Sequence, residues 1–402
     1  MRILVLGAGL QGRAALHDLA QSEEVSHVIA ADADLSGVSR FVDSLKAGRA
    51  KIELVQLDAH DRVQVAGLMQ RADAVIVLLP VAFHAAIARL AVDNGIHLIN
   101  SSYPPPEFQE IGRAAKERGL SVLPEFGLDP GIDLVLAGKA IREFDESDPS
   151  RAGRIRIHQF YSYGAGFPEP HAATGPLYYK ITWTLDGVLK SYRRDARVIR
   201  DGKVVDIPGR EIFAPSNTHT VEMQEWGAFE AYPNGDILNY LEMMGIATTV
   251  REAGRFAMRY PGHCAFWYTL AQLGFLEDQP LAVGGASIAP REFVRALLEP
   301  QLQFAEGERD VALIRVDVRG VKNGQKMRRV YQVIDRRDLD TGLMAMNRTV
   351  GYTASIGAQM ILRGDIQKRG LLSPLTDVDA DLFFKELAKR GITVQQFEYA
   401  EQ

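Results

Sequence analysis

The chain reads as an α/β protein, with an N-terminal doubly wound parallel sheet followed by a second, α+β and largely antiparallel domain. Three observations carry that reading. Short apolar, β-rich runs alternate with helical patterns from Met1 to about Phe144. A glycine-rich turn joins the first strand directly to the first helix. After the polar, turn-forming stretch Glu146-Ser147-Asp148-Pro149-Ser150 the alternation gives way to longer strands closed by tight turns.

Taken in order, Arg2–Leu6, Val28–Ala31, Ile52–Gln56, Ala74–Leu79, His97–Asn100 and Ser121–Leu123 are the expected strands of the first domain. Leu10–Gln21, Arg62–Arg71, Ala82–Asp93 and Glu107–Arg118 carry apolar residues at three- and four-residue spacing and are its expected helices. Gly95 and Gly119 stand where C-terminal caps belong. In the second domain Arg194–Ile207 reads as a hairpin about Asp201-Gly202, and Val311–Ile334 as another about Asn323-Gly324, dipeptides that suit a type I′ turn. Helices are expected over Arg291–Leu302 and Tyr352–Leu362. The expected divisions are 1–145, 146–350 and a C-terminal helical segment 351–402.

Composition excludes several classes. With 402 residues, 47% hydrophobic and 24% charged, the chain can bury a sizeable core. A net charge of −5 without long like-charge blocks leaves no footprint for nucleic acid or an anionic membrane, so a small-molecule partner is expected. Cys264 is the single cysteine, so no intramolecular disulfide or cysteine metal cluster can form, and the cytoplasm is the expected compartment. The apolar start Met1–Leu6 stops at Gly7, too short for a signal core, and reads as a buried strand. His171 and His263, isolated beside turns, make no metal site, and the tryptophans and their aromatic neighbours read as packing residues.

Gly7-Ala8-Gly9-Leu10-Gln11-Gly12 matches G-x-G-x-x-G in the strand-to-helix context that gives the motif meaning, which makes this half a Rossmann-type dinucleotide domain. The glycines permit a tight turn and a close approach of pyrophosphate to the helix N-terminus. Asp32 ends the second strand, where a carboxylate accepts hydrogen bonds from the adenosine ribose and repels a 2′-phosphate, and Asp34 adds negative charge; NAD is therefore expected over NADP. Asp58, Leu79 and Pro80 follow other strands at the carboxyl edge and join the cofactor list, a loop or capping role being the competing reading for each.

The turn Glu125-Phe126-Gly127-Leu128-Asp129-Pro130-Gly131-Ile132-Asp133 has an E-x-G-L-D-P-G-I-D pattern that resembles the saccharopine dehydrogenase (glutamate-forming) and lysine 6-dehydrogenase family. Ser101-Ser102-Tyr103, Pro176–Trp183, Ala231-Tyr232-Pro233-Asn234, Arg259-Tyr260-Pro261-Gly262-His263, Asn347–Tyr352 and Gly370-Leu371-Leu372 resemble further family elements in order along nearly the whole chain. The resemblance implies NAD(P)-linked oxidation of an amine to an imine, or the reverse, with the active site in the cleft between domains and the late helix returning to the first domain. It places Ser101 on the cofactor side, Ser102, Tyr103, Gly127, Asp129, Asn234 and Arg259 on the substrate side, and Asp129 and Lys180 as candidates for proton transfer. Guanidinium forks, ammonium groups and hydroxyls bind carboxylates directionally, which makes Arg259 the first choice for a substrate carboxylate, ahead of Lys180, Ser102 and Tyr103.

Each assignment has a structural rival. Asp129 could cap the helix starting near Ile132, Lys180 could snorkel to solvent, and Arg259 could serve a structural ion pair. A dinucleotide-binding regulator without chemistry is the rival for the whole chain. The sequence also departs from the glutamate-forming enzymes: Gly235 stands where they typically carry an arginine, Ala257 for a threonine, Gly175 for an asparagine and Gly164 for a cysteine. These losses point away from saccharopine itself, unless Arg251 or Arg255 compensates, and toward a smaller diamino acid or related amine. A homodimer is expected because Val311–Val318 and Arg328–Ile334 offer strand edges or an outer face to cover.

Overall fold

The computed structural model describes residues 1–145, 157–322 and 324–401. The stretch Glu146–Ser150, and Asn323 of the second expected turn, lie outside the described residues. Two compact units account for the chain: Met1–Gly138 with Arg337–Thr393, and Lys139–Arg336 with Val394–Gln402.

The first unit is built on β1 (Arg2–Leu6), α1 (Leu10–Gln21), β2 (His27–Asp32), α2 (Ser36–Asp43), β3 (Ile52–Gln56), α3 (Arg62–Met69), β4 (Ala74–Val77), α4 (His84–Asp93), β5 (His97–Asn100), α5 (Phe108–Glu117) and β6 (Ser121–Leu123), with α6 (Ile132–Asp145) leaving it. The strands lie parallel in the order β6-β5-β4-β1-β2-β3, and the short strand Gly370–Leu371 adds to β6. This is the doubly wound order, reversed beside β1, and it sets the crevice for a ligand at the carboxyl ends of the strands. Leu4, Ile29, Val75 and Leu98 are fully buried in its core, as strands covered on both faces require. Each such side chain contributes roughly 1.5–3 kcal/mol.

Helix α2 was absent from the expected elements; Val38 and Val42 are its only buried residues, too few to give a clear period. The late helix runs over Ala345–Arg363, starting before the expected Tyr352. Thr349, Val350 and Gly351 are weak helix formers, but packing overrides propensity here. A β-carbon at Gly351 would come 2.4 Å from the Gln11 carbonyl oxygen of α1, so glycine permits the close contact.

The second unit holds a mixed sheet in the order His219–Met223, Gly227–Pro233, Glu252–Arg259, Ile157–Pro168, Asp310–Lys322, Gln325–Arg336, Val394–Ala400. The pair Glu252–Arg259 with Ile157–Pro168 is parallel, whereas the other pairings along this path are antiparallel. Ala196–Arg200 and Lys203–Ile207 form the first expected hairpin, with positive φ at both Asp201 and Gly202 as a type I′ turn demands. The helix expected at Arg291–Leu302 is Pro290–Leu298, opened by proline in the first turn. The strand edges offered as a reason for dimerisation are already paired: Asp310–Lys322 lies between two strands, and Val394–Ala400 covers Gln325–Arg336. That last strand also belongs to the second unit, whereas the whole segment 351–402 was expected to return to the first. No helix of the described residues is long and apolar enough to cross a membrane.

Candidate active site

In the first unit the glycine turn divides its labour. A β-carbon at Gly7, where φ is +92°, would come 2.7 Å from the Leu78 carbonyl oxygen, and one at Gly12 would come 2.1 Å from the Gly7 carbonyl oxygen; both glycines are demanded by the turn itself. Around Gly9 nothing lies within 4 Å of such an atom, and this residue caps α1 without any side-chain hydrogen bond. Gly9 and Leu10 are exposed, and Gln11 half-buried, at a helix N-terminus whose first N–H groups are turned to solvent. The residues present therefore fit a dinucleotide pyrophosphate. Asp32 closes the site on the ribose side. Its Oδ2 accepts the Ala8 N–H at 2.7 Å and its Oδ1 the Asp34 N–H at 3.1 Å, so the carboxylate is oriented by the turn it serves.

Other cofactor candidates fare unevenly. Asp58 follows β3, but its side chain is 71% exposed and accepts from both the backbone N–H and the ring of His60, which hold its carboxyl below the usual range. It makes a local turn. Leu79 offers its carbonyl to His84 Nε2 at 2.8 Å, and Pro80 starts the short helical turn Val81–Phe83. Ser101 lies against the E-x-G-L-D-P turn: a β-carbon on Gly127 would come 2.9 Å from the Ser101 Cβ. Asn100 ties the end of β5 to its neighbours, its side chain accepting the Ser102 N–H and its backbone carbonyl the Phe126 N–H. Ser102 in turn accepts the Glu125 N–H, so Ser101, Ser102, Tyr103 and the Gly127–Asp133 turn form one connected rim in the first unit.

Asp133, 1% exposed and within the first turn of α6, accepts the Gly131 N–H at 2.7 Å and so ties the turn to the helix that follows it. Asp129 is half-buried at the rim, and its peptide bond to Pro130 is cis.

The second unit separates the two cationic candidates. Lys180 is buried and its Nζ donates to Glu308 at 2.5 Å, a partner that sequence spacing gave no means of finding. The ammonium holds the Glu308 carboxyl below its ordinary range. Arg259 is equally buried, but its Nη1 donates to the Met258 carbonyl, its Nε has no hydrogen-bond partner among the described residues, and its guanidinium lies over the Tyr179 ring at 5.2 Å. Burial acts to lower its pKa, and the surrounding Tyr232, Tyr192 and Tyr179 overcome that and raise it. Those phenols are neutral at ordinary pH, since burial pushes Tyr232 up to about 12 and Tyr192 well above its usual value. Burial, reinforced by Arg259, drives His263 well below its normal pKa, and its Nε2 meets the Tyr192 hydroxyl at 2.9 Å. No carboxylate pairs with Arg259 among the described residues: its cross-strand neighbour Glu230 accepts the Gly262 and Cys264 N–H groups instead. Tyr179, Tyr192, Tyr232 and His263 form the cage around Arg259: Tyr179 was read from sequence as a packing residue, Tyr232 only as part of a family-like element, and Tyr192 was not singled out, since nothing local marks it. Asn234, at the end of the neighbouring strand, donates its backbone N–H to the Arg255 carbonyl.

Comparison with known proteins gives the family. The family model described as "Saccharopine dehydrogenase NADP binding domain" matches residues 3–123, and "Saccharopine dehydrogenase C-terminal domain" matches residues 127–392. The chain belongs to the saccharopine dehydrogenase family. Among its relatives are the saccharopine dehydrogenase [NADP(+), L-glutamate-forming] of Pyricularia oryzae, 28% identical over 96% of each chain, and the carboxyaminopropylagmatine dehydrogenase of a Synechocystis strain, 22% identical over 97% of this chain and 96% of that protein. The apo saccharopine dehydrogenase (L-Glu forming) structure from Saccharomyces cerevisiae superposes with a TM-score of 0.85, at 25% identity, covering 99% of this chain and 100% of the other. A pyridine nucleotide is the cofactor class of this family, and the names of the family domain and of the Pyricularia relative specify NADP, against the NAD preference expected from Asp32.

Proposed function

We propose that this member of the saccharopine dehydrogenase family oxidises the carbon–nitrogen bond of a carboxylate-bearing amine, or runs the reverse imine reduction. The observation that carries this reading is Arg259, a guanidinium buried among neutral phenols. A buried cation without an anion is costly, and a substrate carboxylate is the partner that relieves the cost.

In the oxidative direction the carbon bearing the nitrogen loses hydride, the nitrogen loses a proton, and a C=N bond forms; water then adds and the C–N bond breaks to give a carbonyl compound and a free amine. The nicotinamide, when bound, accepts the hydride. Gly9, Leu10 and Gln11 hold the pyrophosphate with backbone N–H groups, Gly7 and Gly12 shape that turn, and Asp32 takes the adenosine ribose. Asp129 holds the substrate ammonium and receives its proton, assisted by the hydroxyls of Ser102 and Tyr103. Lys180 is the second candidate for proton transfer, ranked below Asp129 because its ammonium already donates to Glu308. Arg259 binds the carboxylate, and Asn234, held opposite Arg255 at the end of the neighbouring strand, is a further polar candidate on the substrate side. The assembly proposed is a homodimer through the outer face or the terminal strand Val394–Ala400 of the large sheet, and the compartment the cytoplasm; light scattering of the purified chain tests the first.

The substrate proposed is smaller than saccharopine. Gly235 has φ +92°, a left-handed conformation that an arginine adopts only with strain, so this turn suits glycine and offers no side-chain charge to a substrate carboxylate. Loss of one charge-assisted hydrogen bond, about 1.5–3 kcal/mol, weakens binding of a tricarboxylate about tenfold to a hundredfold. Nucleotide-linked rates with lysine, saccharopine and carboxylated polyamines test this. A kcat/KM for saccharopine equal to or above the others refutes the preference, and no turnover with any carboxylate-bearing amine refutes the reaction class.

A further inference from the structure

The cofactor reading from Asp32 and Asp34 assumes that no cation stands at the end of β2, and along the sequence none does. Folding brings one from α1. Arg13, directly after the last glycine of the motif, extends to α2, where its Nη2 lies 2.3 Å and its Cζ 3.4 Å from the place a β-carbon on Gly37 would take. Gly37 therefore leaves the notch that the guanidinium fills. The Arg13 Nε is buried and has no hydrogen-bond partner among the described residues. Its charge reaches Asp34, whose carboxyl is held below its ordinary range first by the Ser36 backbone N–H and hydroxyl, then by Arg40 of α2 and, least, by Arg13. Helix α2 has no side-chain cap at its N-terminal residue Leu35. Both Asp32 oxygens, meanwhile, are already engaged by backbone N–H groups.

The end of the second strand is where a dinucleotide fold meets the adenosine ribose, and an arginine there suits a 2′-phosphate, which it can grip with two parallel N–H donors. We propose that Arg13 is the residue that admits the 2′-phosphorylated nucleotide to this site, with Gly37 as its positioning residue. The inference rests on the dinucleotide reading given above. Asp32 and Asp34 repel the phosphate while Arg13 attracts it, so the site accepts both nucleotides, and the balance between them is set by a side chain outside the β2 turn.

The test is direct binding to the full chain, with NADH and NADPH each titrated by calorimetry or by quenching of tryptophan fluorescence. In wild-type protein both nucleotides bind. Arg13→Met raises the ratio of Kd for NADPH to Kd for NADH about tenfold to a hundredfold, the effect of losing a charge-assisted pair. Gly37→Ala, which puts a methyl group where Nη2 lies, moves the ratio in the same direction, and Arg13→Lys restores part of it; circular-dichroism melts establish that each variant is folded. A folded Arg13→Met protein whose ratio stays within about twofold of wild type overturns the proposal while leaving the dinucleotide site intact. Wild-type protein that binds neither nucleotide overturns both.

Discussion

Replacing Arg259 with methionine separates a substrate-binding cation from a structural one. Methionine is unbranched and apolar, so it refills most of the volume between Tyr179, Tyr192 and Tyr232. Removing one member of a buried ion pair costs about 3–5 kcal/mol, because the partner is left charged and dry. Arg259 has no carboxylate at ion-pair distance among the described residues: its guanidinium is held by the Met258 carbonyl at 2.7 Å, by the Tyr192 hydroxyl and by stacking on Tyr179 at 5.2 Å. The loss of those contacts, about 1–2 kcal/mol for a desolvated cation on a ring, is offset by no longer burying a charge. The expected stability change is thus within about 1–2 kcal/mol, a shift in Tm of only a few degrees for a unit of this size. Binding of a carboxylate substrate should instead weaken by about 1.5–3 kcal/mol, seen as a KM raised roughly tenfold to a hundredfold. Nucleotide absorbance gives the kinetics and calorimetric melts give the stability. An unchanged KM together with a stability loss above about 3 kcal/mol would refute the reasoning and make Arg259 a packing residue.

Asp129→Asn should lower kcat about a hundredfold or more, as removal of a proton-transferring group does, with little change in Tm; Asp133→Ala, which removes the buried bond to the Gly131 N–H, should lower Tm instead. If Asp129→Asn turns over normally, the proton passes elsewhere. Burial, aided by Arg369, pushes His97 down to about 4, where its neutral Nδ1 accepts the Ser121 N–H at 2.9 Å. The folded state therefore binds fewer protons than the unfolded one between pH 6.5 and about 4, so stability is full above pH 6.5 and falls as the pH drops through that window. His97→Gln should flatten that part of the stability profile, and an unaltered slope in urea unfolding at pH 4.5 to 6.5 would assign it to other groups. Asp32→Ala should lower the preference for NADH by removing both ribose hydrogen bonds and phosphate repulsion; a Kd ratio equal to wild type places Asp32 away from the ribose.

The first unit was legible because its determinants are local. Strands β1, β3, β5 and β6 have the bounds expected from the sequence; β1 is the clear case, a continuous apolar run buried from Ile3 to Leu6 and ended at Gly7, whereas β3, at the sheet edge, is only partly buried. The dinucleotide turn is a motif within consecutive residues, for the same reason. What escaped depends on neighbours distant in sequence. The start of the Ala345–Arg363 helix is set by packing on α1 at Gly351, and the cover on Gln325–Arg336 comes from the last strand of the chain.

The two cations of the second unit show why candidate residues are harder to rank than to find. Arg259 was ranked ahead of Lys180 by the directionality of its guanidinium alone, and the strand expected around Lys180 is irregular chain, whereas Arg259 ends the strand Glu252–Arg259. A sequence states which charge a residue carries and leaves open which charge stands opposite it, since the counter-ion comes from any part of the chain. Folding gives Lys180 the carboxylate of Glu308 and gives Arg259 neutral phenols from Tyr179, Tyr192 and Tyr232. The same asymmetry operates in the first unit, where Asp58 has His60 beside it in sequence and binds it, while Arg13 meets α2 only after folding. A charged group already paired has its desolvation compensated within the protein and gains little from a ligand. One left among neutral neighbours gains the most, which is why the proposed reading gives the substrate carboxylate to Arg259 rather than to Lys180.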